Sequence, residues 1–256
     1  LRECNLTGAG FKGADLSNSN LSGANLQGAS LEKAALAAAN LTDTELRGAI
    51  LDDGALTDEQ VRSALLHRSP EAQGVVIKDV LVRHNIWISS GGREGERADL
   101  SGLDLSNLDF SGVDLSAAKL VGCSLKNSSL KGALLAHANL GYADCRQANL
   151  EDSDLRGADL CFVNLSAADL RNANITPLKI DSVSVRNWPA DLTRVRAVGA
   201  NFSFARLTDA KLDGANLTNA DFDGAVLDGC SVVGAIFTGV DLETTSTVGL
   251  INPKPS

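Results

Sequence analysis

Every fifth residue of this chain is a bulky apolar one, and that spacing leaves few folds open. From Leu1 the series runs Leu6, Phe11, Leu16, Leu21, Leu26, Leu31, Leu36, Leu41, Leu46, Leu51 and Leu56 without a break. It resumes in a new frame from Leu100 through Val185. After two extra residues near Trp188 it runs again from Leu192 to Leu242. Of these 41 centres, 30 are Leu and 5 are Phe (Phe11, Phe110, Phe202, Phe222 and Phe237), and 24 of the 40 residues two before a centre are Ala. A period of five suits neither a helix at 3.6 nor a plain strand at 2. It suits a short extended piece followed by a corner. In the extended piece the centre and the residue two before it point the same way, and the flanking residues point the other way. Two after the centre, Gly occurs 16 times (Gly23, Gly112 and Gly214 among them) and Asn recurs. Those residues meet the φ > 0 requirement of a type II turn. Four corners close a square coil of about 20 residues, and coils stack at about 4.8 Å through main-chain hydrogen bonds. Only a small residue fits opposite a stacked Leu in so narrow a tube. The Ala column and the scarcity of rings (7 Phe, 2 Trp and 1 Tyr in 256 residues) therefore have one cause.

The unit written out is Ala-(Asp/Asn)-Leu-x-Gly, as in Ala14-Asp15-Leu16 and Ala158-Asp159-Leu160. It resembles the pentapeptide-repeat proteins, and the resemblance covers residues 1–56 and 98–243, about four fifths of the chain. It implies an all-β solenoid, the right-handed quadrilateral β-helix, here in two arrays separated by a short α-helical insert. It implies function only broadly, because family members include uncharacterised bacterial proteins, developmental regulators, secreted effectors and gyrase-protecting DNA mimics. The expected organisation is a first array of about three coils at 1–56, a helical cap or connector at 57–97, a second array at 98–243, and a tail at 244–256. The second array should hold about seven coils, roughly 34 Å at the strand spacing, with a small bulge near 186–190.

The insert reads differently from the repeats. Thr57 with Gln60 makes a capping box, and Val61, Ala64 and Leu65 share one helical face. Ser69-Pro70-Glu71 is a second helix start, with Pro at the first helical position. That helix is expected to pass through Val76, Val80, His84 and Trp87 and to stop at Gly91-Gly92. A solenoid has open apolar ends that need covers, so the first helix is expected to close array one and the second to close the start of array two. The stretch from His84 and Trp87 through Ser90-Gly91 to Arg97-Ala98-Asp99-Leu100 resembles the lead-in found ahead of the repeats in many bacterial members. At the far end, the outermost coil (Ala235-Ile236-Phe237 and Val240) would be covered either by a twin copy meeting it end to end or by a further segment. Leu1 already lies within the pattern, so the chain is expected to lack its natural start.

Conventional chemistry finds little support. Gly8-Ala9-Gly10-Phe11-Lys12-Gly13 matches a dinucleotide fingerprint, but that motif works only between a strand and a helix, and here it lies inside the repeat. The Asn-x-Ser/Thr sites follow from the repeat itself. Five cysteines show no Cys-x-x-Cys spacing. Cys4, Cys123 and Cys230 occupy the small inward position and Cys145 a centre, so they read as buried apolar groups, with Cys161 facing outward. A reduced, cytoplasmic setting is expected. Three scattered histidines, His67, His84 and His137, suggest neither metal site nor triad. A tube offers no cleft in which burial could tune a carboxylate. No catalytic residue, metal or cofactor is expected. The net charge of −9 argues against direct nucleic-acid binding through phosphates, and no apolar run is long enough for a membrane span.

Two surface features remain. Residues 20 apart should stack, so Tyr142 and Phe162 form a column with Ser182 next. If the extra residues at Asn187-Trp188 merely bulge, Phe204 continues it, beside Val121 and Cys161. Exposed apolar ladders mark interaction sites, although stacked rings also shield adjoining corners. The second feature is charge. Residues 200–243 carry Asp209, Asp213, Asp221, Asp223, Asp228, Asp241 and Glu243 against Arg206 and Lys211, while the middle is broken up by Lys126, Lys131, Arg146, Arg156 and Arg171. The leading expectation is a non-enzymatic scaffold that binds a protein partner, with an end-to-end homodimer as one form of association. The alternative is an acidic DNA mimic acting on a type II topoisomerase. An enzyme would require a concave pocket with converging polar groups.

Overall fold

The structure, a computed structural model, describes residues 1–52, 55–64, 67, 69–179 and 187–251. The chain forms two compact units, Leu1–Arg68 and Ser69–Ser256, each with its own apolar core.

In the first unit the coil arises one corner at a time. The carbonyl of each centre accepts from the N–H three residues on, as in Ala24 N to Leu21 O at 2.9 Å. The residue two after the centre has positive φ, 65° at Gly23 and 57° at Asn18, which is the type II pattern. Asp or Asn before the centre locks the corner. The Asp15 carboxylate accepts from the Ser17 N–H at 2.9 Å, and Asn20 does the same for Ser22 at 3.0 Å. This is the Asx geometry that short polar side chains adopt in turns, and it explains the preference for Asp and Asn at this outward position. Consecutive coils then join by parallel bridges twenty residues apart, such as Asn5 to Asn25 and Asn25 to Glu45. Each face contributes a single bridged residue to the ladder, so few continuous strands form although the object is a β-helix. Leu21, Leu26, Leu31, Leu41 and Leu46 are almost wholly buried, each contributing about 1.5–3 kcal/mol.

Helix α1 (Asp58–Ser63) begins with the expected capping box, Thr57 and Gln60 bonding each other's backbone. Gln60 also reaches into the coil, its Nε2 donating to Leu36 O at 2.8 Å and Ala39 O at 3.0 Å. Leu36 O already accepts the turn bond from the Ala39 N–H at 3.1 Å, and Gln60 adds a second donor there and supplies one to Ala39 O. Ala64 joins the core. Leu65 lies outside the described residues.

The second unit opens with a 3₁₀ turn, Glu71–Gln73, and helix α2, Ile77–Ser89. The sequence suggested one helix starting at Pro70; it is divided because Gly74 takes φ 66° and turns the chain before α2 starts. The stop is at the anticipated glycines, Gly91 at φ 65° and Gly92 at φ 82°. Val75, Ile77, Val80 and Leu81 pack half-buried on the end of the coil core. The repeats continue from Asp99, bridging in steps of twenty up to Asn174.

The register then departs from the sequence reading. Asp159 bridges to Asp191, Asn164 to Arg196, Asp169 to Asn201 and Asn174 to Arg206, each a separation of thirty-two. The step here is therefore twelve residues longer than a coil, where the repeat pattern suggested two extra residues. The excursion starts with β1 (Leu178–Lys179) and ends with β2 (Asn187–Trp188), which pair antiparallel. Ile180, Ser182 and Val185 lie outside the described residues. Trp188 folds back onto the wall: its ring meets His137 edge-on at 5.0 Å, and a Cβ at Gly157 would lie 3.0 Å from its carbonyl oxygen. At the other end the ladder continues past 243, with Val226 bridging Ser246 and Ser231 bridging Ile251, so much of the anticipated tail is a further coil. Its Val248 and Ile251 are exposed, as are Val233 and Ile236 before them, while Phe237, Val240, Leu242 and Leu250 are half-buried against the core.

Inside the tube the centres behave as the period requires. Leu100, Leu140, Leu165 and Leu212 have no exposed surface. Phe202 and Phe222 stack in parallel with centroids 4.9 Å apart, the coil spacing itself.

Candidate functional site

The outward residues expected to form one ladder fall into two places. Tyr142 and Phe162 occupy the same corner of consecutive coils, both in left-handed backbone, φ 62° and 60°. Their rings stack at 4.9 Å and 11°, because equivalent side chains in successive coils are held at the ladder spacing. Both are half-buried. Next in the column stands Arg194, at φ 56°, its guanidinium carbon 5.5 Å from the Phe162 centroid. A guanidinium over a ring face contributes about 0.5–1 kcal/mol when exposed. Arg194 was missed in the sequence because the length of the excursion is invisible in the repeat pattern.

Phe204 is a correction. The thirty-two-residue step makes it follow Asn172, whose N–H donates to Ser203 O at 3.1 Å, two corners away from Phe162. There it is 59 % exposed and lies over Gly224, where an added Cβ would come 2.5 Å from the ring. Val121 and Cys161 lie in the column one residue before the ring corner, both half-buried. Burial pushes the Cys161 thiol up, reinforced by Asp191, with which it hydrogen-bonds, and by Asp159. It is a poor nucleophile and a packed wall group. Burial also raises Tyr142, with help from Cys161 and Asp159 and opposition from Arg194, so its hydroxyl stays a neutral donor.

The charges around this corner are mostly paired. Arg146 grips Asp144, Arg156 grips Asp154 and Arg171 grips Asp169, each through a two-nitrogen fork with the closest contact at 2.6–2.7 Å. In each pair the acid sits just before the centre and the arginine just after it. Lys131 reaches the next coil, 2.7 Å from Glu151, and Lys211 reaches back 3.1 Å to Asp191. Four of the five basic residues thought to interrupt the surface thus neutralise specific carboxylates, which leaves the middle faces mixed in charge. Burial raises Asp191, but Thr193, Cys161 and Lys211 outweigh it and hold the carboxyl below its usual range.

The cysteines sit where the pattern put them, except Cys4, which is exposed. Burial raises Cys123 and Cys145 strongly, and Cys230 is pushed up to about 12. Among the described residues no group of three or more His, Cys, Asp or Glu is placed to hold a metal ion. None of their helices is long and apolar enough to cross a membrane.

The family model for Pentapeptide repeats matches in 8 copies, over residues 1–23, 14–53, 96–132, 128–161, 138–176, 190–224 and 205–243. Among solved structures, HetL, a pentapeptide repeat protein involved in heterocyst differentiation regulation in the cyanobacterium Nostoc sp. strain PCC 7120, is 26% identical. The match covers 99% of this chain and 91% of HetL, with a TM-score of 0.24. A pentapeptide repeat protein of the Arabidopsis thaliana thylakoid lumen is 30% identical over 46% of this chain and 66% of its own, with a TM-score of 0.28. QnrB1, a plasmid-mediated fluoroquinolone resistance protein, is 19% identical over 58% of this chain and 81% of its own, with a TM-score of 0.36. No curated protein sequence matches the chain. A five-residue period, a corner at each Gly or Asn, and a family match over more than half its length lead to one conclusion: the chain belongs to the pentapeptide-repeat family.

Proposed function

We propose that this protein is a non-enzymatic scaffold that presents the walls of its coils to a protein partner, with the Tyr142–Phe162–Arg194 corner as the central contact. In this reading each coil array is closed by its own helix of the insert at 57–97, and the setting is cytoplasmic. One observation carries it. This corner is left-handed backbone, where Gly costs nothing and a larger residue costs about 1 kcal/mol. Elsewhere in the same column it is Gly102, Gly122, Gly214 and Gly234, yet two rings and a guanidinium occupy the middle three coils. Large side chains held at a strained position, half-exposed and stacked flat, resemble the aromatic and Arg anchors of protein interfaces. End-to-end self-association through the last described coil belongs to the same reading and is tested by sedimentation.

The test replaces both rings by the residue the corner prefers. Tyr142→Gly with Phe162→Gly should leave the circular dichroism and melting temperature near those of the parent. It should also abolish capture of a partner that the parent retains, with Phe204→Gly as the control. Retention of the same partner by the double variant would remove the corner from the proposal.

A second reading is an acidic DNA mimic acting on a type II topoisomerase. Its support is the surplus of acids between 200 and 243. The forked pairs at Asp144, Asp154 and Asp169 count against a continuous negative wall. A gyrase supercoiling assay showing neither inhibition nor protection would dismiss it.

A further inference from the structure

We propose that His84 is an acid-operated latch: its neutral imidazole holds helix α2 over the open end of the second unit's coils, and a proton on the ring releases that cover. The ring has no exposed surface. Its Nδ1 accepts from the Ala98 N–H at 3.1 Å, and Ala98 is the first inward residue of the first coil in this unit. An acceptor at Nδ1 requires the neutral tautomer with its proton on Nε2. Protonation turns Nδ1 into a donor facing another donor, so the bond that joins helix to coil becomes a repulsion.

The surroundings make that event costly. The Nε2 atom is buried and makes no well-formed hydrogen bond, although the Ser116 carbonyl faces the ring and favours its proton. From α2 the ring faces Trp87, stacked at 5.7 Å and 11°. The charged groups facing it are Asp114 of the coil, which favours a proton, and Arg97 of the lead-in, which opposes it. Desolvation is the largest influence and lowers the imidazole below its ordinary value. A base whose value is lower in the docked state than in the released state supports docking fully above the ordinary value of about 6.5. That support drains away as pH falls from there through the depressed value.

The helix is also poised to leave. Only Ile77, Val80 and Leu81 of α2 pack half-buried on the coil core, while Val82 and Ile86 are exposed. The lead-in travels with it. At Gly95 an added Cβ would meet the Arg83 carbonyl oxygen at 2.3 Å, and Glu96 N donates to that carbonyl at 3.2 Å. Release at Ala98 would therefore free α2 and its lead-in together and uncover the apolar coil end around Leu100 and Leu105. Acid would convert a covered end into an apolar surface.

The experiment is amide hydrogen exchange on the full chain between about pH 7.5 and 5, expressed as protection factors so that intrinsic rates cancel. Protection at Ala98 and through α2 should fall by up to tenfold per pH unit below about 6.5, while Leu140 and Leu165 deep in the coils stay unchanged. His84→Gln keeps an acceptor that cannot titrate, and its α2 protection should be independent of pH. Acid release unchanged in His84→Gln, or none in the parent, overturns the proposal. If the variant is undocked already at pH 7.5, ring titration of His84 in the parent by NMR decides. A value below 6.5 supports the latch, and a value at or above it overturns it.

Discussion

Phe162 and Arg194 are neighbours in consecutive coils, guanidinium over ring at 5.5 Å, although coils elsewhere repeat every twenty residues and these two are thirty-two apart. The step is twelve residues longer at one corner, and the coil on either side keeps its own twenty-residue register. Removing 177–188 should therefore restore a twenty-residue step. Joining Thr176 to Pro189 puts proline at a corner that demands positive φ, and proline is confined to about −65°. The deletion with Pro189→Gly should fold with a melting temperature within a few degrees of the parent. The deletion with Pro189 retained should melt clearly lower. Equal melting of the two would mean that the corner is not re-formed.

Gly224 and Phe204 form a second coupled pair. A Cβ at Gly224 would sit 2.5 Å from the ring, on backbone at φ 63°. Gly224→Ala is expected to cost about 2 kcal/mol, in part from left-handed strain of about 1 kcal/mol. In the background of Phe204→Ala the same change should lose only the strain part. Denaturant unfolding of the four proteins of this cycle gives the coupling, and strictly additive effects would contradict the contact.

Gln60 serves helix and coil at once. Its amide nitrogen donates to Leu36 O and Ala39 O while its amide oxygen accepts from the Thr57 N–H at 3.0 Å. Gln60→Ala should destabilise the first unit by about 2 kcal/mol, since Ala39 O loses its donor, Leu36 O keeps only its turn bond from the Ala39 N–H, and the capping box is broken. Proteolysis near α1 should accelerate accordingly. Gln60→Glu should be at least as damaging, because it sets a carboxylate against two carbonyl oxygens.

Thiol labelling distinguishes the inward column from the surface. Cys4 is exposed, whereas burial raises Cys123, Cys145 and Cys230, the last to about 12. At pH 8 the native protein should release one equivalent of thiol to an aromatic disulfide reagent quickly. Three should stay protected until denaturant is added, with half-buried Cys161 slow because its sulfur is held by Asp191. Fast labelling at Cys145 would show that the tube is not closed.

Much of the coil was legible because the repeat is local: the centre, the Ala two before it and the Gly two after it all act within five residues. The meaning of Asp15 or Asp169 was less visible, since a polar residue facing water and one capping a corner look alike in sequence. The ring corner was half legible. Tyr142 and Phe162 stack because they are twenty apart within one frame. Phe204 and Arg194 exchange places because Ile180 and Val185 keep the five-residue beat while their neighbours β1 and β2 pair outside the coil.

The five-residue period dictates that Leu and Ala face inward and that every corner needs Gly, Asn or a tolerated strain, and Thr57 with Gln60 marks the start of α1. All of these depend on contacts within a few residues or on a strict period. The folded coils settle which coil follows Phe162, how Gln60 meets its coil, and that the His84 imidazole accepts from the Ala98 N–H. Those are contacts between distant residues, and their register depends on how many residues leave the coil, which periodicity does not record.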